Sequence, residues 1–261
     1  MAESRKGHCI ALSPARKMVI EFLHHGQQVP SLPLSKVMRI DALVDARKAG
    51  ADASWTSIFM KAYGLVAQKL PELRRAYIPY PWGYYYEHPI SECVVLLERE
   101  IEGEYAVLGG KVREPESRTL GKIDDDVTRL RTAPVEEISE FRNWLRLGRL
   151  PWIVRRLAFW IGLYWSGSMR AKRFGTFAIS SLGNLGVEQY HPISPLTTYL
   201  TFGPIAPNGE VTVKIIYDHR VMDGRCVARA LNDLEEVLNT LIRAELNALI
   251  GTSIPIQKIP A

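Results

Sequence analysis

Cysteine is scarce in this chain: Cys9, Cys93 and Cys226 are widely separated and odd in number. They make neither a disulfide framework nor a CxxC metal-binding pair, which points to a reducing compartment. No stretch reaches the roughly 18 uninterrupted apolar residues of a membrane-spanning helix. The opening residues, MAESRKGHCIALSPARK, lack the apolar core of a signal peptide. Internal repeats and low-complexity linkers are missing as well. These absences argue against a disulfide-stapled secreted domain, a solenoid and a helical membrane protein. The expectation is a cytoplasmic protein, peripheral to a membrane at most.

What is present is the composition of a globular protein, 47% hydrophobic and 23% charged, enough for a sizeable core. At 261 residues the chain is near the upper limit for a single core, so one large mixed domain and two small ones both fit. The net charge is +5, with the Lys and Arg excess partly concentrated between Arg142 and Arg173. No aromatic-basic pattern of a nucleic-acid module accompanies it, so an anionic ligand or surface is expected rather than nucleic acid.

Local patterns predict the elements. Ser13 and Pro14 start a helix that ends at Gly26, with Met18, Phe22 and Leu23 on its apolar side. Pro30 to Ile40 reads as extended, and Asp41 caps a short helix ending at Gly50. Ser54 caps a stronger helix from Trp55 to Leu70, read as core, which Pro71 stops. Two or three strands are expected between Tyr77 and Val112. Thr119 opens a polar helix through Arg131 with Leu120, Ile123, Val127 and Leu130 on one side. Asp124, Asp125 and Asp126 in that helix point in different directions, which suits a solvated face better than a metal site. The last third reads as strands Gly175 to Ser181, Thr197 to Phe202 and Val211 to Tyr217, then a long helix from Arg225 to Leu249.

Two segments carry chemistry. VKIIYDHRVMDG, residues 213–224, places His219 at a strand end where a rigid sheet can aim it. A histidine is largely neutral at physiological pH and can take a proton from an attacking thiol or hydroxyl. Asp223, four residues on, can fix the turn by pairing with an arginine. Alone, the same pattern also describes a structural histidine. GTFAISSLGNLG, residues 175–186, places Ser180 at the end of an apolar strand before a glycine-punctuated turn. Its hydroxyl either satisfies the turn or donates to a developing oxyanion.

Together the two segments resemble the catalytic domain of the dihydrolipoamide acyltransferases of 2-oxoacid dehydrogenase complexes, relatives of chloramphenicol acetyltransferase, in which a GTF-ISxLG strand precedes a DHRVxDG turn. The resemblance implies an α/β sandwich with a mixed central sheet flanked by helices. Residues 1–12 then form an extension, 13–250 the catalytic domain and 251–261 a tail. It also implies a homotrimer, with or without assembly into a larger cage, whose active sites lie in channels between subunits. Coenzyme A, as acyl-CoA, enters from one side and a thiol, hydroxyl or amine acceptor from the other, with no metal. By position, His219 is the general base, Ser180 the oxyanion donor supplied across the interface, and Asp223 an orienting carboxylate with Arg16 as its candidate partner.

Departures from the family pattern are expected to matter. Measured against that pattern, the sequence reads as beginning directly at the catalytic domain, and the expectation is that a lipoyl or carrier domain acts in trans. Ser31 stands where the family usually has histidine, His25 stands near a usual serine, and the interval from Ser180 to His219 is short. A Trp- and Arg-rich insertion at about 137–174 contains Trp144, Trp152, Trp160 and Trp165. Residues 151–165 within it read either as a helix buried against the trimer or as an interfacial helix or acyl lid in peripheral contact with a membrane. Three functions follow in order: a stand-alone acyl-CoA-dependent acyltransferase, an acyltransferase core served by a lipoyl domain in trans, and a scaffold subunit without turnover.

Overall fold

The computed structural model describes residues 7–49, 53–101 and 103–253. Residues 1–6 of the expected extension at 1–12 and residues 254–261 of the expected tail at 251–261 therefore lie outside the described residues. Helix α1 (Pro14–Gly26) starts where Ser13 Oγ accepts from Arg16 N at 3.1 Å, with Pro14 supplying a pre-set first turn. Strand β1 (Ser31–Arg39) follows, then α2 (Asp41–Lys48). Asp41 is not the cap of α2: Ile40 occupies that place and makes no side-chain capping bond. Helix α3 (Trp55–Lys69) is buried along most of its length, as a core helix should be, and Ser54 caps it.

Four strands, rather than two or three, lie between residues 75 and 113. The short pair β2 (Arg75–Ile78) and β3 (Tyr84–Glu87) makes a separate hairpin, while β4 (Glu92–Ile101) and β5 (Glu104–Arg113) form a long one. Helix α4 (Leu120–Thr132) buries the four apolar residues expected of it. Its Asp124 accepts from Ser54 N at 2.9 Å and Ser57 Oγ at 2.7 Å, tying α4 to the start of α3. Asp126 turns instead to Arg118 at 2.6 Å.

The segment expected to be an insertion, at about 137–174, folds as three helices, α5 (Ser139–Gly148), α6 (Trp152–Tyr164) and α7 (Gly167–Phe174). Strands β6 (Phe177–Ser180), β7 (Thr198–Phe202) and β8 (Glu210–Asp218) complete the sheet. Helix α8 (Gly224–Val237) passes through a π-helical stretch at Leu238–Ile242 into α9 (Arg243–Ser253), where one regular helix was expected.

The sheet order is β1-β8-β7-β6-β4-β5. β6 is parallel to both its neighbours, and the other pairings are antiparallel. Side chains alternate between the two faces. On the first face, Phe177, Ile179, Leu200, Val213 and Ile215 join the larger core with α3, α4 and α8. On the second, Ala178, Tyr199 and Ile216 meet Met18 of α1 and Phe159, Leu163 and Phe174 of the insertion. Within the chain, residues 151–165 form a helix with one buried and one exposed side. α6 buries Arg155, Phe159, Gly162 and Leu163 but leaves Trp152, Ile153, Val154 and Leu157 exposed.

Charge as well as packing holds α6 to α1. Buried Glu21 accepts from Arg156 Nε at 2.6 Å and pairs with Arg155 at 3.6 Å. His25 is buried, stacks on Phe159, and has Nδ1 3.3 Å from the Tyr164 hydroxyl. Burial, with His24 and Arg156 adding to it against Glu21, pushes His25 down to about 4. The unfolded chain therefore binds more protons than the folded one between about pH 6.5 and about pH 4. Stability should fall as pH drops through this window, by about 3 kcal/mol from this residue. Denaturant titrations of the wild type and His25→Phe at pH 7 and pH 4.5 check this. The variant should lose less stability on acidification, and equal losses would show that His25 titrates as in water.

Candidate active site

The turn after β8 is built on a buried carboxylate. Asp218 is fully buried, and Arg220 forks onto it, with Nε 2.9 Å from Oδ1 and Nη2 2.8 Å from Oδ2. The Arg220 backbone N–H adds a third bond to Oδ1 at 3.0 Å. Arg170 of α7 is also buried and donates to Tyr77 O at 3.1 Å and Pro195 O at 2.7 Å. Burial pushes Arg170 down to about 10, opposed chiefly by the charge of Asp218. The β2-β3 hairpin grips the same turn: Tyr77 lies 5.0 Å under the Arg220 guanidinium, and the Tyr85 hydroxyl donates to Arg220 O at 2.6 Å.

On this support sits His219. Its backbone N–H donates to Pro30 O at 3.1 Å, and its Nδ1 lies 3.1 Å from Met222 O. A carbonyl only accepts, so the neutral ring carries its proton on Nδ1 and its lone pair on Nε2. The side chain is 47% exposed. An imidazole held from one nitrogen at a strand end, with no partner on the other among the described residues, is able to take up a proton there.

The expected pairing of Arg16 with Asp223 is not formed within the chain. Arg16 lies 3.5 Å from Glu104, and Asp223 is 86% exposed, with Oδ1 3.5 Å from His219 Nδ1. That separation is too long for a hydrogen bond, so Asp223 acts on the ring only as a nearby charge. The carboxylate that fixes the turn by pairing with an arginine is Asp218. Its role was hidden in the sequence because partner and carboxylate are only two residues apart and flank the histidine.

Ser180 ends β6, and its hydroxyl donates to Gln189 Oε1 at 2.8 Å. Burial raises Tyr199 to about 12, with the nearby Ser180 hydroxyl opposing. The next serine has a different task. Ser181 Oγ donates to Phe202 O at 2.7 Å and accepts from Gly183 N at 3.1 Å, so it closes the turn. Both serines line a cavity of about 1370 Å³ on the second face of the sheet, but only Ser180 keeps its hydroxyl off the backbone of the turn. Phe159, Phe174 and Tyr199 also line it, with Arg47, Lys111, Arg131, Lys172 and Arg173 against Glu98 and Glu140. The lining is net cationic and suits an anionic ligand.

Several neighbours of these residues carried no sequence signal. Gln189 accepts from Thr201 Oγ1 at 3.3 Å as well as from Ser180. Buried Lys214 pairs with Glu188 and donates to Gln189 O. His191 Nε2 lies 3.0 Å from Ser31 Oγ, so a histidine from a distant loop reaches the place where Ser31 departs from the family pattern.

The structure does not bring Ser180 and His219 together in one chain. Ser180 is in register with Thr201, and Thr201 with Lys214, whereas His219 follows Asp218 at the other end of β8. Five residues of strand put them about 16 Å apart along the sheet, with two strand spacings between.

Asp218→Asn should therefore unsettle the whole turn, since it strands Arg220 and Arg170 at a cost of about 3 to 5 kcal/mol. Asp223→Asn should leave the melting temperature unchanged. Thermal unfolding of both variants beside the wild type tests the contrast, and the reverse order would return the structural role to Asp223.

No family model matches the chain, and no curated protein sequence does. Solved structures do match its fold. A probable dihydrolipoamide acetyltransferase from Listeria monocytogenes is 16% identical, over 91% of this chain and 97% of its own, with a TM-score of 0.66. The Azotobacter vinelandii dihydrolipoamide acetyltransferase, studied for the roles of a serine, a histidine and an asparagine in its catalytic mechanism, is 18% identical over 92% and 94%, with a TM-score of 0.67. The cubic core of the pyruvate dehydrogenase multienzyme complex is 17% identical over 92% and 94%, with a TM-score of 0.65. The chain thus has the fold of the dihydrolipoamide acetyltransferase catalytic cores, the α/β architecture that the two segments around Ser180 and His219 imply.

Proposed function

We propose that this protein is an acyltransferase whose site is assembled between copies of the chain, His219 coming from one and Ser180 from another. The observation that carries this reading is the pairing of an open His219 Nε2 with a cavity-facing Ser180 at the opposite end of the same sheet. Neither group completes a site alone, and a second copy can supply what each lacks. The Azotobacter enzyme supports the choice of residues, since its serine, histidine and asparagine fall in the same order, with histidine and asparagine four residues apart. Asp223 stands in the asparagine's place here, and the serine-to-histidine interval is shorter.

The donor is acyl-CoA. Its phosphates fit the cationic lining of the cavity beside Ser180. His219 Nε2 takes the proton of the acceptor thiol, hydroxyl or amine as that group attacks the thioester carbonyl. Ser180 donates to the oxyanion, after turning its hydroxyl away from Gln189. Collapse of the intermediate breaks the carbon–sulfur bond, and the coenzyme A thiolate leaves with the proton held by His219. No acyl-enzyme forms, because both substrates meet in one channel and orientation supplies much of the rate. No metal takes part. The assembly is a trimer at least, and the cubic core among the similar structures favours a larger cage.

The similar structures also favour a second reading, in which the acceptor or donor is a lipoyl group carried by another protein. Release of coenzyme A should be followed with a panel of acyl-CoA donors, offering dihydrolipoamide in parallel with hydroxyl and amine acceptors. Exclusive use of dihydrolipoamide would select the second reading, and no turnover with any pair would leave a scaffold.

His219→Ala should lower the rate on the order of 10² to 10⁴, and Ser180→Ala should lower kcat more than it alters KM. The sharper expectation concerns mixtures. Co-expressed His219→Ala and Ser180→Ala chains in equal amounts should regain about a quarter of wild-type activity, because each mixed cyclic trimer contains one intact junction. No recovery in verified mixed trimers would place both groups in one chain's site.

A further inference from the structure

We infer that the corner between α5 and α6 docks this protein on an anionic lipid surface. The corner is apolar where it meets solvent: Trp152 and Ile153 are each 62% exposed, and Leu150, Val154 and Leu157 are exposed beside them. It is a rigid projection. Arg155 Nη1 donates to Leu150 O at 2.6 Å, Glu21 holds Arg155 and Arg156, and Phe159 and Leu163 are buried one and two turns further on. Along α6 the stripe of Ile153, Leu157, Trp160 and Tyr164 passes from exposed to half-buried, where Tyr80 and Trp165 approach Trp160 at 5.5 and 6.5 Å. The free part of the stripe is therefore its outer end.

Charge decides the occupant. From residue 141 to residue 187 the sequence contains eight Lys and Arg and no Asp or Glu. Arg155, Arg156 and Arg170 are spent on buried partners, but Arg146 and Arg149, at the end of α5 beside Leu150, are exposed. They border a cleft of about 590 Å³ that also contains Glu100, Glu104 and Glu136, yet no carboxylate among the described residues lies within 4 Å of either arginine. A symmetric contact between two such corners would set cation against cation with no acid in the segment to answer it. An anionic bilayer answers every charge at once, and tryptophan with arginine around a short apolar wedge is the composition of an interfacial segment. The wedge is a handful of side chains, so binding is shallow and reversible and needs apolar and ionic parts together.

The test is co-sedimentation of the full chain with vesicles of phosphatidylcholine alone and of phosphatidylcholine with phosphatidylglycerol in equal parts. Binding is expected only to the anionic vesicles, and raised salt should weaken it. Trp152→Ser with Ile153→Ser and Leu157→Ser should lower the partition coefficient at least about tenfold, with unchanged melting temperature and elution volume. A second variant, Arg146→Gln with Arg149→Gln, should weaken binding and reduce its salt dependence. Failure to bind anionic vesicles, or equal binding by wild type and both variants, would overturn the inference. So would a change of oligomeric state in the triple variant, which would make the corner a contact between copies. None of these outcomes depends on acyl transfer.

Discussion

Asp218 is the group on which the rest of the site depends. A carboxylate with no exposed surface is costly unless its charge is answered, and here Arg220 answers it through its side chain and its backbone, with Arg170 behind. The three groups come from the end of β8, the turn after it and the last helix of the insertion. Because Asp218 also donates its own N–H to Thr197 O, the pair fixes where the strand stops. His219 is aimed by that stop. Pro30 O and Met222 O hold its backbone N–H and its Nδ1, and Met222 belongs to the same turn.

The second face of the sheet explains both the cavity and the incompleteness of the single chain. Phe159, Leu163 and Phe174 cover Ala178, Tyr199 and Ile216 but stop short of Ser180. The uncovered part is walled by helices on one side and by the turn after β6 on the other. A base five residues further along β8 from Lys214, the in-register partner of Thr201, cannot reach into it. The sheet is rigid over that span, so no rotamer change closes the gap.

Much of this was legible in the sequence where one local rule governs one element. Ser13-Pro14, Ser54 and Pro71 bound their helices as expected, and the face of α4 follows from apolar spacing alone. The two segments around Ser180 and His219 were legible because a strand end and a glycine turn leave few alternatives. What failed was anything decided by partners distant in sequence. Arg16 turned to Glu104 because β5 lies beside α1, and Asp223 stayed in solvent. Gln189 and His191 sit in a loop with no periodicity, and only the closed sheet shows that they meet Ser180 and Ser31. The insertion could be read two ways because a helix that buries one stripe and exposes another satisfies both patterns at once.

That insertion divides its charge according to helical period. Positions facing α1 and the turn after β8 place Arg155, Arg156 and Arg170 against Glu21 and Asp218, so burial of these cations is matched by acids from outside the segment. Lys172 and Arg173 fall instead at the cavity wall, and Arg146 and Arg149 at the outer corner. One stretch without carboxylates thus supplies the lock that holds it to the sheet, the positive lining beside Ser180, and the positive rim around an exposed apolar wedge. Adding an acid anywhere in it would weaken one of these without improving the fold, since the buried positions already have their counter-charges and the exposed ones serve by lacking them.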